Sequence, residues 1–172
     1  YFALEGDAGA LPLAEQIVRD LDGKSFSIDA RDKVLYHAAA CIASNCLVSL
    51  IHLATGLYGR FGLSRSEAFE ALYPLIRGTI RNISQVGPAP ALTGPVSRGD
   101  SPTLAGHLEV LKEADPLELN LYRTLCLYTV RVALEKGSIN HAQALELESL
   151  FKPYEEFEAG CGMVRSEFLN PA

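Results

Sequence analysis

The sequence predicts a mainly α-helical domain built around one long, buried central helix and preceded by a short β-α-β unit. Three observations lead there. Residues 34 to 59 contain no Asp, Glu, Lys or Arg, so a helix over this stretch is apolar on most sides and belongs inside a fold. From Asp29 onward each segment carries helix-start signals and helical periodicity. Residues 1 to 28 instead alternate strand, helix and strand patterns.

The elements follow in order. Tyr1–Glu5 reads as a short strand closed by a Gly6-Asp7 turn, and Leu11 to Leu21 places Leu11, Ala14, Ile17, Val18 and Leu21 on one helical face. Asp22-Gly23 stops that helix, and Ser25 to Ile28 forms a second strand. This β-α-β unit has no strand partner of its own in the chain, as the last piece of a larger α/β domain would. Ser64-x-x-Glu67 is a capping box opening a helix through Ile83, which Pro74 is expected to bend or split. Gly87 to Asp100 is rich in proline and glycine and reads as a loop. Ser101 as N-cap with Pro102 at the first helical position starts the next helix. Asp115-Pro116-x-Glu118 opens another that Gly137 ends, and Asn140-x-x-Gln143 opens a last one to about Phe151. The predicted organisation is therefore 1–28, the end of an α/β domain, 29–152, a helical domain, and 153–172, an exposed and partly mobile tail.

Size and charge exclude several function classes. A chain of 172 residues holds one domain of ordinary size, and its 48% hydrophobic content allows a real core. A net charge of −6 argues against a nucleic-acid surface. Cys41, Cys46, Cys126 and Cys161 lack paired metal spacing, and His37, His52, His107 and His141 lack an i, i+4 ligand pair, so no metal site is expected. Small buried thiols suit a cytoplasmic protein. No signal or transit segment is visible, and a start at Tyr1 reads as a fragment with something upstream.

The central helix has polar groups on one side only. At about 100° per residue, Lys33, His37, Cys41, Ser44, His52 and Thr55 share a stripe, with Asn45 at its edge. Leu35, Ile42, Leu47, Leu50, Ile51 and Leu53 take the other faces. A bilayer span would tolerate the length, but His37, Ser44, Asn45, Ser49 and His52 inside it, and flanks without an aromatic belt, speak against a membrane. A polar stripe on a buried helix must meet hydrogen-bonding partners, a cavity or a ligand. Lys33 and His37 stand one turn apart and can reach one pocket, where a cation or imidazole donates a proton and Asn45 orients a carbonyl, with Ser44 beside it. The alternative is a Lys33 that only snorkels and a His37 bonded to a backbone carbonyl.

A second cluster runs Leu92-Thr93-Gly94-Pro95-Val96-Ser97-Arg98-Gly99-Asp100. Its glycines allow close backbone approach, the helix starting near Ser101 offers free N–H groups, and Arg98 adds a bidentate donor, a combination suited to a carboxylate or phosphate. The competing reading makes Asp100 and Ser101 helix caps and Arg98 a structural ion-pair partner. The embedded Arg-Gly-Asp is a chance match.

The run Asp32-Lys33-x-x-Tyr36-His37-Ala38-Ala39-Ala40-x-x-Ala43-Ser44-Asn45, the Leu92-Thr93-Gly94-Pro95-x-x-Arg98-Gly99-Asp100 loop and the helix around Tyr122 together resemble one family. It is domain of unknown function 2520, the helical domain that follows a Rossmann domain in a group of NADP-dependent oxidoreductases. The similarity is close over residues 30 to 137 and looser over 1 to 28. More distantly the chain is similar to pyrroline-5-carboxylate reductase, ketopantoate reductase and the 6-phosphogluconate dehydrogenase C-terminal domain. β-Hydroxyacid dehydrogenases carry a catalytic Lys with an Asn one turn later; here His37 takes the place of that Asn.

The resemblance implies a 6-phosphogluconate dehydrogenase C-terminal-like helical domain that packs on a Rossmann sheet, homodimerises and closes the substrate side of a nicotinamide pocket. Together with the polar stripe and the 92–100 loop, it makes Lys33, His37 and Asn45 the expected catalytic residues, and Ser44, Thr93, Gly94 and Arg98 the expected substrate-binding ones. NADP would be held by the upstream domain, because the chain contains no Gly-x-Gly-x-x-Gly turn. The expected partners are a small-molecule substrate, the Rossmann domain and a second copy. The competing expectation is a non-catalytic helical homodimerisation module whose polar stripe is a buried seam between protomers.

Overall fold

The computed structural model describes residues 1–152; the expected tail at 153–172, Cys161 included, lies outside the described residues. The chain is mainly helical and divides into two compact units, Tyr1–Ala71 and Leu72–Ala172.

In the first unit β1 (Phe2–Leu4) and β2 (Ser25–Ser27) pair in parallel, with Phe2 opposite Ser25 and Leu4 opposite Ser27. The two strands of the β-α-β unit thus partner each other. Helix α1 (Leu11–Asp20) makes the crossover and buries Val18. Gly23 closes that crossover at close quarters: a Cβ there would lie 2.8 Å from the Phe2 ring and 2.9 Å from Val18, so a larger residue requires those side chains to shift. A single 3₁₀ turn, Ala30–Asp32, leads into α2 (Lys33–Cys41), a π-helical turn at Ile42–Cys46, and α3 (Leu47–Tyr58). With the 3₁₀ turn Gly59–Phe61 these form one helical rod, Ala30–Phe61, long and apolar enough by length and composition to cross a membrane.

The rod corrects one expectation. It is not a buried central helix: Val34, Leu35, Ile42 and Val48 are 80%, 72%, 66% and 67% exposed. Apolar composition requires a partner surface, and among the described residues the rod meets its own unit mainly near its ends. The Phe26 and Tyr36 rings lie 6.1 Å apart near its start, and Arg65 donates to the His52 carbonyl near its end.

Helix α4 (Arg65–Val86) opens with the expected capping box: the Glu67 carboxylate accepts from the Ser64 N–H at 2.8 Å, and the Glu67 N–H donates back to Ser64 Oγ. Pro74 sits inside α4 without splitting it.

The second unit contains the main core. Between Gly87 and Asp100, where a loop was expected, the chain makes two single-turn helices, α5 (Pro88–Ala91) and α6 (Pro95–Arg98). Proline just inside each start, after a positive-φ glycine, favours such turns. Helices α7 (Ser101–Leu111), α8 (Pro116–Lys136) and α9 (His141–Phe151) then pack around Leu104, Val130, Leu147 and Phe151, all essentially inaccessible. The N-cap of α7 is Asp100, one residue before the expected Ser101. The capping box of α9 and the left-handed Gly137 ending α8 (φ 72°) follow the sequence signals.

Candidate functional site

Lys33, His37, Ser44 and Asn45 belong to the first unit, and Thr93, Gly94 and Arg98 to the second.

The Lys33 ammonium forms an ion pair with Glu5, at the end of β1, so the β-α-β unit supplies the lysine's partner. His37 stands one turn on, exposed, and its Nε2 lies 3.5 Å from Cys41 Sγ. Glu5, Lys33, His37 and Cys41 are therefore linked in two neighbouring pairs at the start of the rod. Ser44 and Asn45, also exposed, fall in the π turn.

That π turn corrects the projected stripe. A π turn inserts about one residue into the helical repeat and rotates everything after it by roughly 100°. His52 and Thr55 consequently do not continue the Lys33–His37 row: His52 is exposed, whereas Thr55 is 5% exposed and its hydroxyl donates to the His52 carbonyl at 3.0 Å. The chemistry-bearing row is short, Lys33 to Cys41.

Sequence reasoning missed Glu5, whose link to Lys33 joins residues 28 positions apart. It also read Cys41 as a buried hydrophobe, although its i+4 spacing from His37 was visible.

In the second unit, Asp100 accepts from the Thr103 N–H at 3.2 Å and from the Thr103 hydroxyl at 2.9 Å. Those bonds, helped by Arg98, hold its carboxyl below the usual carboxylate range. Arg98 Nη2 lies 3.6 Å from the same carboxylate. A carboxylate of the chain itself thus stands where the sequence suggested an incoming anion, the capping alternative weighed above. Gly94 adopts φ 93° and opens α6. Thr93 is exposed and lines a cavity of about 470 Å³ between α4 and the segment from Pro88 onward. His107 Nδ1 and the Tyr122 hydroxyl lie 2.8 Å apart, and burial, then Cys126, push the Tyr122 phenol above its ordinary range. Among the described residues no group of three or more His, Cys, Asp or Glu could hold a metal ion.

A two-strand parallel β-α-β unit followed by an apolar rod and a helical unit defines the class: a mainly helical chain with a short parallel sheet at its start. The chain belongs to the family described as "Domain of unknown function (DUF2520)", whose model matches residues 1–129. It is similar in structure to protein TM1727 from Thermotoga maritima, known from a crystal structure, with 34% identity and a TM-score of 0.71. The match covers 79% of this chain and 54% of that one, so it spans about half the length of TM1727. No curated protein matches the chain.

Proposed function

We propose that this chain is the substrate-side, dimerising C-terminal part of an NADP-dependent oxidoreductase of the cytoplasm. The observation that carries the reading is the Lys33–His37 pair, presented on the exposed start of a rod that is uncharged for its next 26 residues. Ion-pairing to Glu5 keeps the Lys33 head near the β-α-β unit, the part of this chain nearest in sequence to an upstream domain. The greater length of TM1727 is consistent with such a domain.

In this reading the nicotinamide, held upstream, supplies hydride chemistry when bound. Lys33 and His37 bind the substrate and deliver a proton to its carbonyl or imine. Asn45 and Ser44 orient it. The polar groups within the rod favour a water-soluble protein over a bilayer span.

The test restores the segment upstream of Tyr1 and measures NADPH binding and turnover of a panel of carbonyl and imine compounds. His37→Ala should lower kcat at least tenfold with NADPH affinity and melting temperature unchanged. Loss of folding or of dimers, with cofactor affinity intact, would favour the second reading: a non-catalytic homodimerisation module. That reading draws on the exposed Val34, Leu35, Ile42 and Val48, a surface that asks for an apolar partner.

A further inference from the structure

The cavity of the second unit is built from two i, i+4 rows of α4. Pro74, Gly78 and Asn82 form one row, and Leu75, Thr79 and Ile83 the other. The segment from Pro88 to Thr93 makes the opposite wall. That wall is pinned at consecutive carbonyls: Asn82 Nδ2 donates to Ala91 O at 3.3 Å, and Lys136 Nζ donates to Leu92 O at 2.5 Å. Gly87 and Gly94, at φ 87° and 93°, fix the turns on either side. The wall is therefore held in place before anything binds.

The lining chemistry is selective. None of the ten residues lining the cavity is ionisable, and only Thr79, Asn82 and Thr93 bring side-chain hydrogen-bonding groups. Thr79 spends its hydroxyl proton on the Leu75 carbonyl at 3.0 Å, which leaves its oxygen as an acceptor. Gly78 opens the floor, since a Cβ built there would meet nothing within 4 Å. A volume of about 470 Å³ falls in the ordinary range for small-molecule sites.

We propose that the α4/88–93 cavity binds an uncharged, largely apolar small molecule bearing one hydroxyl or amide donor. An anion finds no cation in the lining and would lose its hydration without replacement. A flat apolar ring can rest on Leu75, Gly78 and Ile83, with its donor reaching Thr79 or the Asn82 amide oxygen. The proposal rests on the second unit alone; Thr93 is the one residue it shares with the expected substrate-binding set, and the oxidoreductase reading is tested separately at His37.

The test uses the full chain and three probes, benzyl alcohol, toluene and benzoate, followed by amide NMR. Benzyl alcohol should bind saturably and shift the amides of Gly78, Thr79, Asn82 and Thr93, with benzoate at least tenfold weaker. Gly78→Leu should abolish binding while leaving the fold intact, because the new side chain enters open space and helix propensity improves. Thr79→Val should weaken benzyl alcohol several-fold and leave toluene unchanged. The proposal is overturned by non-saturable shifts, by benzoate binding equally well, or by a folded Gly78→Leu variant that binds normally. It is also overturned if these amides respond to protein dilution rather than to benzyl alcohol, because a second copy would then occupy the cavity.

Discussion

Cys41 Sγ lies 3.5 Å from His37 Nε2, one helical turn along the start of an exposed rod. Sulfur is a poor acceptor and an imidazole nitrogen a good one, so the contact favours the tautomer in which Nε2 is bare and the thiol donates. In that tautomer the imidazole carries its proton on Nδ1.

The first prediction follows from that assignment. Nitrogen-15 NMR of neutral His37 should show the Nδ1–H tautomer, and Cys41→Ala should shift the population toward Nε2–H. Cys41→Ser, which restores a donor, should bring Nδ1–H back. An identical tautomer ratio in all three proteins would remove the thiol from the site.

Exposure of the rod predicts how the protein associates. Leu35→Glu and Ile42→Glu replace side chains that are 72% and 66% exposed, so each should change monomer stability by under about 0.5 kcal/mol. If copies pair through this face, each should weaken association at least tenfold, about 1.4 kcal/mol. Urea denaturation measures the first arm and sedimentation equilibrium the second, and unchanged association would exclude this face as a contact between copies.

Asp100 gives a pH dependence of known sign. Hydrogen bonds from Thr103 first, and Arg98 less, depress its carboxyl in the folded state. The stabilisation is therefore complete above the ordinary carboxylate value, about 3.9, and is lost as pH falls through the lower folded value. Urea midpoints measured from pH 6 down to pH 2 should fall less steeply in Asp100→Asn than in the native protein. Parallel curves would mean the cap does not survive in solution.

The helical core predicts a ranking of stabilities. Phe151 is fully buried in the cluster with Leu147 and Val130, so Phe151→Ala should cost about 3–5 kcal/mol. Asn140→Ala removes the α9 capping box at the helix start and should cost about 1 kcal/mol. Urea denaturation of the second unit reports both values, and a cap more costly than the core would contradict this packing.

Much of the fold was legible because its signals are local. Ser64-x-x-Glu67, Asp115-Pro116, Gly137 and Asn140-x-x-Gln143 mark helix ends through bonds spanning two to five residues, and the structure places those ends accordingly. Pro74 does not split its helix: α4 runs unbroken from Arg65 to Val86 around it, with one backbone hydrogen bond fewer. The candidate site was half legible. Lys33 and His37 are set by i, i+4 spacing, but the Glu5 partner and the cavity beside Thr93 join segments that no local pattern connects.

By itself the amino-acid order determined where most helices begin and end, the strand-helix-strand pattern at the start, and the uncharged stretch from 34 to 59; that the two strands pair with each other was decided by the tertiary structure. These depend on capping, periodicity and composition, all of which act within a turn or two. The tertiary structure alone decided that the apolar rod is exposed, that a π turn separates His52 from the Lys33 row, and that Asp100 fills the start of α7. Burial and phase depend on what packs against a helix and on where its repeat slips, and neither quantity is written in the spacing of its residues.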